Sequence, residues 1–187
     1  MRNKTRRQRY DEKKAIAKTY PISIATVNFM HDGNLGYIIR SAACFGAECV
    51  HVIGSVPDRS VLNPLSGSLS DYVDIKQHST PVEFLNHIKS IDTQLISAEM
   101  TPEAVPVNEY SFDFKRPVCI VLGHEETGVP TEIIKNSDSV YIPMPGIGYC
   151  LNTSQAGNIM LYEVINRFEA NSRFLRQWAD GRDIHLP

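Results

Sequence analysis

The sequence predicts an α/β protein with a mainly parallel sheet and helices on both faces of that sheet. Within residues 22–53 a strand pattern, a helix pattern and a second strand pattern follow one another, which is typical of a right-handed parallel crossover. Residues 117–122 (P-V-C-I-V-L) form a continuous apolar run, as expected for a central strand covered on both faces. The 187 residues, of which 42% are hydrophobic, suffice for one well-packed domain.

The first twenty residues form a basic arm. They hold eight Lys and Arg residues against two acidic residues, so the rest of the chain carries 11 basic and 19 acidic side chains. A basic arm on an acidic body indicates an arm that contacts phosphate groups. A solvated tail that only aids solubility is an equally good interpretation of the charge pattern. The acidic body argues against nucleic-acid binding over the whole surface.

Strands and helices alternate along the body. Alternating patterns or short apolar runs predict strands at residues 22–28, 48–53, 72–76, 94–98, 117–122 and 139–142. Apolar residues at helical spacing predict helices at residues 35–45, 81–91, 131–136 and 152–168. In the second of these helices we expect Val82, Leu85 and Ile88 to face the core. Two longer connections, residues 54–70 with some helical turn and residues 99–116, are expected between strands.

The expected cellular location and the expected state of the cysteines follow from sequence patterns that are missing. No run of about 18 apolar residues predicts a membrane span, and the basic N-terminus has no apolar core of a secretory signal. Cys44, Cys49, Cys119 and Cys150 show no C-x-x-C spacing, so we expect reduced thiols and neither a metal site nor a disulfide framework. The first three cysteines are expected in the core. The expected location is cytoplasmic.

Three loops rich in Gly, Pro or Asn follow predicted strands, at residues 31–40, 123–130 and 141–163. In an open parallel sheet, ligands bind beyond the carboxyl ends of the strands. The loops match neither the phosphate-binding P-loop nor the dinucleotide pattern G-x-G-x-x-G. In the third loop Pro143, Pro145, Gly146 and Gly148 specify a backbone shape that can present amide and carbonyl groups to a ligand. Taken alone, this loop is equally well interpreted as a plain connection between a strand and a helix.

The three loops carry motifs in a defined order. The first is N-x-x-x-x-x-R from Asn34 to Arg40, and the second is a hydrophobic strand followed by G-x-E-x-x-G at residues 123–128. The third reads I-P-M-P-G at residues 142–146, then L-N-T-S at residues 151–154 and Tyr-Glu at residues 162–163. In this combination, over residues 22–168, the chain resembles the SpoU/TrmH family of RNA ribose 2′-O-methyltransferases, which belong to the SPOUT class.

The resemblance implies a fold, a cofactor and partners. It implies a C-terminal trefoil knot, in which the last strand and helix thread through a loop formed by earlier segments. It implies S-adenosylmethionine as cofactor, RNA as substrate and a homodimer with its active site at the subunit interface. The chain then divides into a basic arm (residues 1–20), a SPOUT methyltransferase domain (21–168) and a C-terminal extension (169–187). Apart from the short arm the sequence shows no separate RNA-recognition domain, which fits a small catalytic unit that recognises a feature of tRNA or rRNA. Of the two substrates we favour tRNA.

Four polar residues of the motifs are catalytic candidates. We expect Arg40 to bind an RNA phosphate and stabilise the developing alkoxide, because a guanidinium with a pKa above about 12 is a poor base. A surface arginine at a helix end is the alternative. Asn34 either caps its helix or hydrogen-bonds Arg40 or the ribose region. Glu125 either orients Arg or Asn side chains across the dimer or is a solvated loop acid. Asn152 is expected to cap the last helix, which is compatible with ligand contact.

Cys150 departs from the family pattern, which usually has Ser before Leu-Asn. We keep Cys150 in the catalytic set with its role open, because a thiol is a weaker hydrogen-bond donor and acceptor than a hydroxyl. Cofactor contacts are expected largely through backbone groups. The cofactor-binding set that the resemblance implies is Ala98, Glu99, Leu122, Gly123, Ile142, Met144, Gly146 and Leu151.

Alternative functions remain at this point. An rRNA 2′-O-methyltransferase fits the same motifs. So does a catalytically inactive knotted RNA-binding protein, in which Cys150 in place of the usual Ser would be a sign of lost activity. The presence of Asn34, Arg40, Glu125 and Asn152 together argues against the inactive protein. An acidic α/β enzyme for small molecules explains neither the arm nor the motifs. Further RNA contacts are expected from the aromatic or basic side chains of Tyr10, Arg173, Phe174, Arg176 and Trp178.

Overall fold

A parallel sheet forms the centre of the molecule. The computed structural model describes residues 4–179, with side chains to residue 172. Within this range the strands are β1 (Tyr20–Val27), β2 (Ala47–Ile53), β3 (Asp74–His78), β4 (Gln94–Ala98), β5 (Val105–Pro106), β6 (Val118–Leu122) and β7 (Asp138–Tyr141). Their order across the sheet is β3-β2-β1-β6-β4-β7-β5, and every pairing is parallel. The carboxyl ends of β1, β6, β4 and β7 therefore lie side by side.

Helices cover both faces of the sheet. They are α1 (Arg6–Lys14), α2 (Asp32–Phe45), α3 (Arg59–Leu65), α4 (Pro81–Ser90), α5 (Thr131–Ile134) and α6 (Thr153–Ala179). Residues of α2 and α6 share one hydrophobic cluster with β1, β2, β4 and β6, and residues of α4 and α5 share a second cluster that contains the alternate side chains of β1 and β6. This alternation is what a strand covered on both faces requires. The predicted α/β class, with a mainly parallel sheet and helices on both faces, is confirmed.

Several elements differ from the sequence-based expectation. The strand expected at residues 72–76 lies at Asp74–His78, whereas the helical turn expected within residues 54–70 is present as α3. The connection at 99–116 contributes the two-residue strand β5 at the sheet edge. Part of the basic arm is the helix α1, whose Thr5 and Gln8 form a reciprocal capping box. This capping pattern was present in the sequence.

The buried face of α4 was predicted only in part. Leu85 and Ile88 are buried as expected, but Val82 is 58% exposed and Phe84 is fully buried. Phe84 lies one residue before Leu85 and four before Ile88, whereas Val82 lies in the first turn beside the capping residue Thr80. The large aromatic ring therefore occupies the core side that was assigned to Val82.

The cysteines and the remaining sequence expectations can be placed on this fold. Cys49 and Cys119 are buried, whereas Cys44 is exposed, so its assignment to the core was wrong. Within residues 4–179, no helix combines the length and apolar character that a membrane crossing requires. The backbone of α6 continues through residue 169, and the three-part division of the chain stays a prediction. The side chains of Arg173, Phe174, Arg176 and Trp178 lie outside those that the structure describes.

One close packing contact fixes the last helix over the strand ends. A Cβ atom on Gly157 of α6 would overlap Ile38 of α2 and would lie 2.6 Å from Leu122 Cδ1 of β6. The missing side chain lets α6 approach both elements closely. The first turn of α6 is thereby held beside the carboxyl end of β6, where the candidate site lies.

Candidate functional site

Three side chains from three different loops form a hydrogen-bonded row beside the strand ends. The side-chain amide of Asn152 donates to Asn34 Oδ1 at 3.1 Å. Asn34 in turn donates from Nδ2 to Glu125 Oε1 at 2.6 Å. The other carboxylate oxygen of Glu125 accepts the backbone N–H of Met30 at 2.9 Å. The structure thus brings together three of the predicted catalytic residues, and we call Glu125, Asn34 and Asn152 the polar row.

Asn152 is fixed in orientation by the helix that it caps. Its Oδ1 atom accepts the backbone N–H of Ser154 at 2.9 Å, that of Gln155 at 3.4 Å and the Ser154 hydroxyl at 2.6 Å. The amide oxygen therefore serves α6, and the amide nitrogen points to Asn34. The predicted cap at Asn152 is present, and it holds one end of the polar row.

Asn34 occupies the centre of the row and is buried. The N-cap position of α2 is occupied by His31, whose side chain makes no capping hydrogen bond, and Asn34 lies within the first turn of the helix. Both functional atoms of the Asn34 side chain are engaged, with Glu125 and with Asn152. Its interpretation as a helix cap was therefore wrong, as was the expected hydrogen bond to Arg40.

Glu125 is arranged as a charged acceptor. Burial raises the pKa of its carboxyl group, but hydrogen bonds from the Met30 backbone and the Asn34 amide outweigh burial, so the pKa lies below its ordinary value. The group is a carboxylate at neutral pH and accepts from both donors. The expected orienting role toward an asparagine matches this geometry within one chain.

The loop that carries Glu125 closes on itself. The backbones of His124 and Gly128 exchange two hydrogen bonds of 3.0 Å. A Cβ atom on Gly123 would overlap Gly128 and lie 2.5 Å from Val129 N, and Gly128 itself has a φ of +69°. Only glycine suits both positions, because one needs close backbone approach and the other a left-handed conformation. The G-x-E-x-x-G spacing therefore specifies a closed loop that presents Glu125.

A cavity of about 530 Å³ lies between this loop and the first turn of α6, at the ends of β4, β6 and β7. Its volume falls within the range of about 300–1,000 Å³ that is usual for small-molecule sites. Apolar side chains form much of its wall, and three carboxylates, those of Glu99, Glu125 and Glu126, also line it. The predicted cofactor-binding residues at its wall are Ala98, Glu99, Leu122, Gly123, Ile142, Met144 and Leu151.

Gly146 and Cys150 lie in a solvent-facing part of the third loop. Residues 145–150 are all exposed. Gly146 has no atom within 4 Å of the place where a Cβ would stand, and the structure does not bring it to the cavity. Cys150 does line the cavity, and its thiol is exposed.

Sequence reasoning missed several residues of the cavity wall. Ala156 and Met160 line it together with Asn152, which they follow by four and eight residues on one face of α6. That helical spacing could have identified them. Thr153 also lines the cavity and donates its hydroxyl to the Gly123 carbonyl at 3.3 Å, which joins the second and third motifs.

Arg40 lies at a second cavity, of about 590 Å³, whose wall also contains Asn34, Tyr37 and Asn152. Asn152 therefore borders both cavities, and the polar row lies at their junction. The Arg40 side chain is exposed, and its guanidinium lies 3.7 Å from the position where a Cβ of Gly67 would stand. The structure places Arg40 near the row without a direct bond to Asn34.

The chemistry of the first cavity, at the ends of β4, β6 and β7, suits an organic cation better than a metal ion. Among the described residues, no group of three or more His, Cys, Asp or Glu side chains is arranged to hold a metal. Carboxylates on a largely apolar wall provide a favourable field for a positively charged organic molecule.

Most of the chain matches one known protein family. The model of the SpoU rRNA Methylase family matches residues 21–162. The chain belongs to this family. Its polar row joins the three motifs on which the sequence-based resemblance rested, and the resemblance to the SpoU/TrmH family is confirmed.

Other SpoU family members are similar over most of the chain. The tRNA (guanosine(18)-2′-O)-methyltransferase of Escherichia coli (strain K12) is 29% identical over 145 residues, which cover 77% of this chain and 62% of that protein. The 23S rRNA (guanosine-2′-O-)-methyltransferase of Acinetobacter baylyi is 34% identical over 137 residues, which cover 70% of this chain and 53% of that protein. This SpoU family chain thus spans between half and two thirds of the length of these relatives.

A solved structure shows the same fold. The crystal structure of an AdoMet-bound rRNA methyltransferase from Sinorhizobium meliloti superposes with a TM-score of 0.72 at 22% identity. The superposition covers 79% of this chain and 58% of that one. The α/β architecture described above is therefore that of a solved member of the methyltransferase group.

Proposed function

We propose that this protein is an S-adenosylmethionine-dependent RNA methyltransferase that methylates a ribose 2′-hydroxyl, with tRNA as the favoured substrate. The observation that carries the proposal is the polar row of Glu125, Asn34 and Asn152 at the junction of two cavities. One cavity suits a small organic cation, and the other contains the exposed guanidinium of Arg40. Family membership and the names of the two relatives support this assignment.

The residues of the first cavity, at the ends of β4, β6 and β7, fit the proposed cofactor. When bound, S-adenosylmethionine supplies an electrophilic methyl group on a positively charged sulfur. The carboxylates of Glu99, Glu125 and Glu126 offer a favourable field for that charge, and the apolar wall accommodates the adenosine. Leu122 is the last residue of β6 and Ile142 directly follows β7, and both line this cavity. The AdoMet-bound structure from Sinorhizobium meliloti supports the same choice.

Catalysis in this proposal consists mainly of positioning. The polar row holds the ribose at the junction, where its 2′-hydroxyl faces the first cavity. Arg40 binds the adjacent phosphate and stabilises negative charge on the attacking oxygen, and the hydroxyl proton leaves late or with help from that phosphate. Fixed orientation of two reacting groups can lower a barrier by about 7–11 kcal/mol in favourable cases. Cys150, at the cavity wall, is assigned to the catalytic set with a contact weaker than that of a serine.

The basic arm forms an RNA-binding surface in this proposal. Tyr10 of α1 donates to the Gly67 carbonyl at 3.1 Å, and Gly67 lies against the Arg40 guanidinium. The arm is held further by the Tyr72 hydroxyl, which donates to Asp11 at 2.8 Å. Five exposed cations of α1 thereby stand on the Arg40 side of the molecule: Arg6, Arg7, Arg9, Lys13 and Lys14.

Assembly and chain topology complete the proposal. We assign the protein as a homodimer through α2 and α6, because Tyr37 and Tyr162 on these helices are 53% and 57% exposed, and Tyr37 lines the Arg40 cavity. Residues 21–168 are proposed as the methyltransferase domain, with the last strand and helix forming a trefoil knot, and residues 169–187 as an extension. A cytoplasmic location goes with the proposed tRNA substrate.

An rRNA substrate is the second candidate, and the 34% identity to the Acinetobacter baylyi 23S rRNA enzyme favours it. The test is transfer of a labelled methyl group from S-adenosylmethionine to separate tRNA and rRNA pools, followed by mapping of the modified nucleotide. We expect label on a ribose in tRNA. Label in rRNA alone would show that rRNA, and not tRNA, is the substrate. Cofactor binding without transfer to either RNA would favour an inactive RNA-binding protein.

A further inference from the structure

Glu99 lies where the cavity meets the loop that carries Glu125. It follows β4, and its backbone N–H donates to the Val140 carbonyl of β7 at 3.1 Å. Its side chain is half-buried and lines the first cavity, at the ends of β4, β6 and β7. One carboxylate oxygen, Oε2, accepts the backbone N–H of Val129 at 2.9 Å, and the other accepts that of Met100 at 3.2 Å. The carboxylate therefore links the end of β4 to the chain beyond β6.

The bond to Val129 is made at the neck of the closed loop, residues 123–129. At this neck the backbones of Gly123, Gly128 and Val129 are in close contact. A Cβ atom on Gly128 would lie 2.5 Å from Glu99 Oε2, so the missing side chain of Gly128 admits the carboxylate. Val129 is buried, and Glu99 satisfies an amide that would otherwise lose a partner on folding.

From the neck, a continuous path leads to the polar row. Gly123 and Val129 bracket the loop, Glu125 stands on it, and Glu125 holds Asn34 through the 2.6 Å hydrogen bond. A shift of the neck therefore moves the acceptor that orients Asn34. Displacements of about 1 Å in an active site can cost about a hundredfold in rate.

We infer that Glu99 is a positioning residue, whose carboxylate fixes the neck of the loop and thereby the placement of Glu125 and Asn34. Its kinetic consequence rests on the proposed methyl transfer, whereas its structural consequence does not. This role requires an acceptor oxygen that reaches the Val129 N–H. It therefore depends on the length of the side chain and not on its negative charge. A direct contact to the cofactor would depend on the charge that Glu99 contributes to the cavity.

Two substitutions separate reach from charge. Glu99→Gln keeps the length and one acceptor oxygen and removes the charge, whereas Glu99→Asp keeps the charge and shortens the side chain by one methylene group. Glu103→Asp, at an exposed acid of the next turn, is the matched control. The measurements are amide exchange at Val129, the affinity for S-adenosylhomocysteine, and kcat and KM with RNA.

The expected results differ between the two variants. Glu99→Asp should speed exchange of the Val129 amide at least about tenfold. The shorter side chain no longer accepts this N–H, so local opening of the loop costs less free energy. It should lower kcat at least about tenfold while KM for RNA stays within about twofold. In Glu99→Gln the remaining acceptor oxygen can face Val129 while the NH2 group faces Met100 N–H, so exchange of the Val129 amide should stay near the wild type and kcat should fall less than in Glu99→Asp. Glu103→Asp should stay near the wild type in all three measurements.

Two outcomes would overturn the inference. One is a Glu99→Asp variant with normal exchange at Val129 and normal kcat. The other is a Glu99→Gln variant that loses as much turnover as Glu99→Asp, which would make the charge decisive. If the wild type transfers no methyl group to any RNA, the proposed function fails, and the exchange at Val129 still decides whether Glu99 fixes the loop.

Discussion

The polar row and a cluster of three histidines differ in how their surroundings affect charge. In the polar row, N–H groups surround the Glu125 carboxylate and favour its charged form. In the second cluster, the rings of His51, His78 and His87 lie between 5.2 and 5.5 Å apart, in contact with one another and, for His51 and His78, with Phe84. The first arrangement stabilises a charged carboxylate, and the second disfavours a positive charge on the buried histidine rings.

The histidine cluster is built for neutral rings. His51 and His78 are buried, and His51 Nδ1 lies 3.0 Å from His78 Nε2, so one ring must donate and the other accept. Burial, together with the neighbouring His78, His87 and Lys76, lowers the pKa of His51 to about 3. Burial also lowers the pKa of His78, assisted by His87 and Lys76, while Glu83 opposes the shift. Changes at the polar row should therefore appear in turnover, and changes at the histidines in stability.

The largest effect is expected at Arg40, next to the polar row. Arg40→Lys replaces a planar guanidinium by a point charge, and turnover should fall about 10²–10³-fold, as when one stabilising donor is removed from an oxyanion site. Affinity for S-adenosylmethionine, measured by calorimetry, should stay near normal because Arg40 borders the other cavity. An equal loss of cofactor affinity would contradict this role.

A smaller loss is expected when the charge of the row itself is removed. Glu125→Gln leaves one acceptor and places an NH2 group against one of the two present donors, Met30 N–H or the Asn34 amide. Turnover should fall about 10–100-fold, with little change in the free energy of unfolding. Glu126→Gln, at the exposed neighbouring acid, is the matched control. Equal losses of turnover in the two variants would show that turnover depends on the total negative charge in the cavity and not on the hydrogen bonds of the polar row.

The histidine cluster should make stability depend on pH. The folded pKa values of His51 and His78 lie below the unfolded value of 6.5, so the unfolded chain binds more protons in acid. For His51 the contribution to stability is full above pH 6.5 and should fall on acidification from there toward pH 3, by up to about 1.4 kcal/mol per pH unit. The lowered pKa of His78 adds a loss in the same direction below pH 6.5. Urea unfolding at several pH values measures the slope.

A matched pair of variants tests whether the histidine cluster causes the dependence of stability on pH. His51→Leu should flatten it, because one buried titrating ring is removed, whereas His31→Leu at an exposed position should leave it unchanged. An unaltered slope in His51→Leu would mean that other groups dominate acid unfolding.

The smallest effect is expected from the exposed charges of α1. Replacing Arg6, Arg7 and Arg9 by Gln should weaken RNA binding and reduce the salt slope by about one for each RNA phosphate that is no longer neutralised by an arginine. Turnover at saturating RNA should change little. Filter binding at several salt concentrations provides the slope, and an unchanged slope would exclude the arm from RNA contact.

Prediction from sequence succeeded where the relevant signal is local. Parallel strands, helix spacing and the cap at Asn152 depend on residues near one another in the chain, and these features are present. Prediction failed where distant packing decides. Val82 faces solvent because Phe84 fills the space among the histidines, and Asn34 is no helix cap because Glu125 and Asn152 hold its amide.

The sequence by itself determined the α/β class, the family and the three motif loops, because periodicity and motif spacing are local properties. Only the tertiary structure decided how those loops meet. Asn34 is separated by 91 residues from Glu125 and by 118 from Asn152, yet the parallel sheet brings all three to one edge. The placement of Glu99 at the loop neck was equally hidden, since its partner Val129 lies 30 residues away on another strand connection. Such contacts follow from the order of strands in the sheet, which spacing along the chain does not encode.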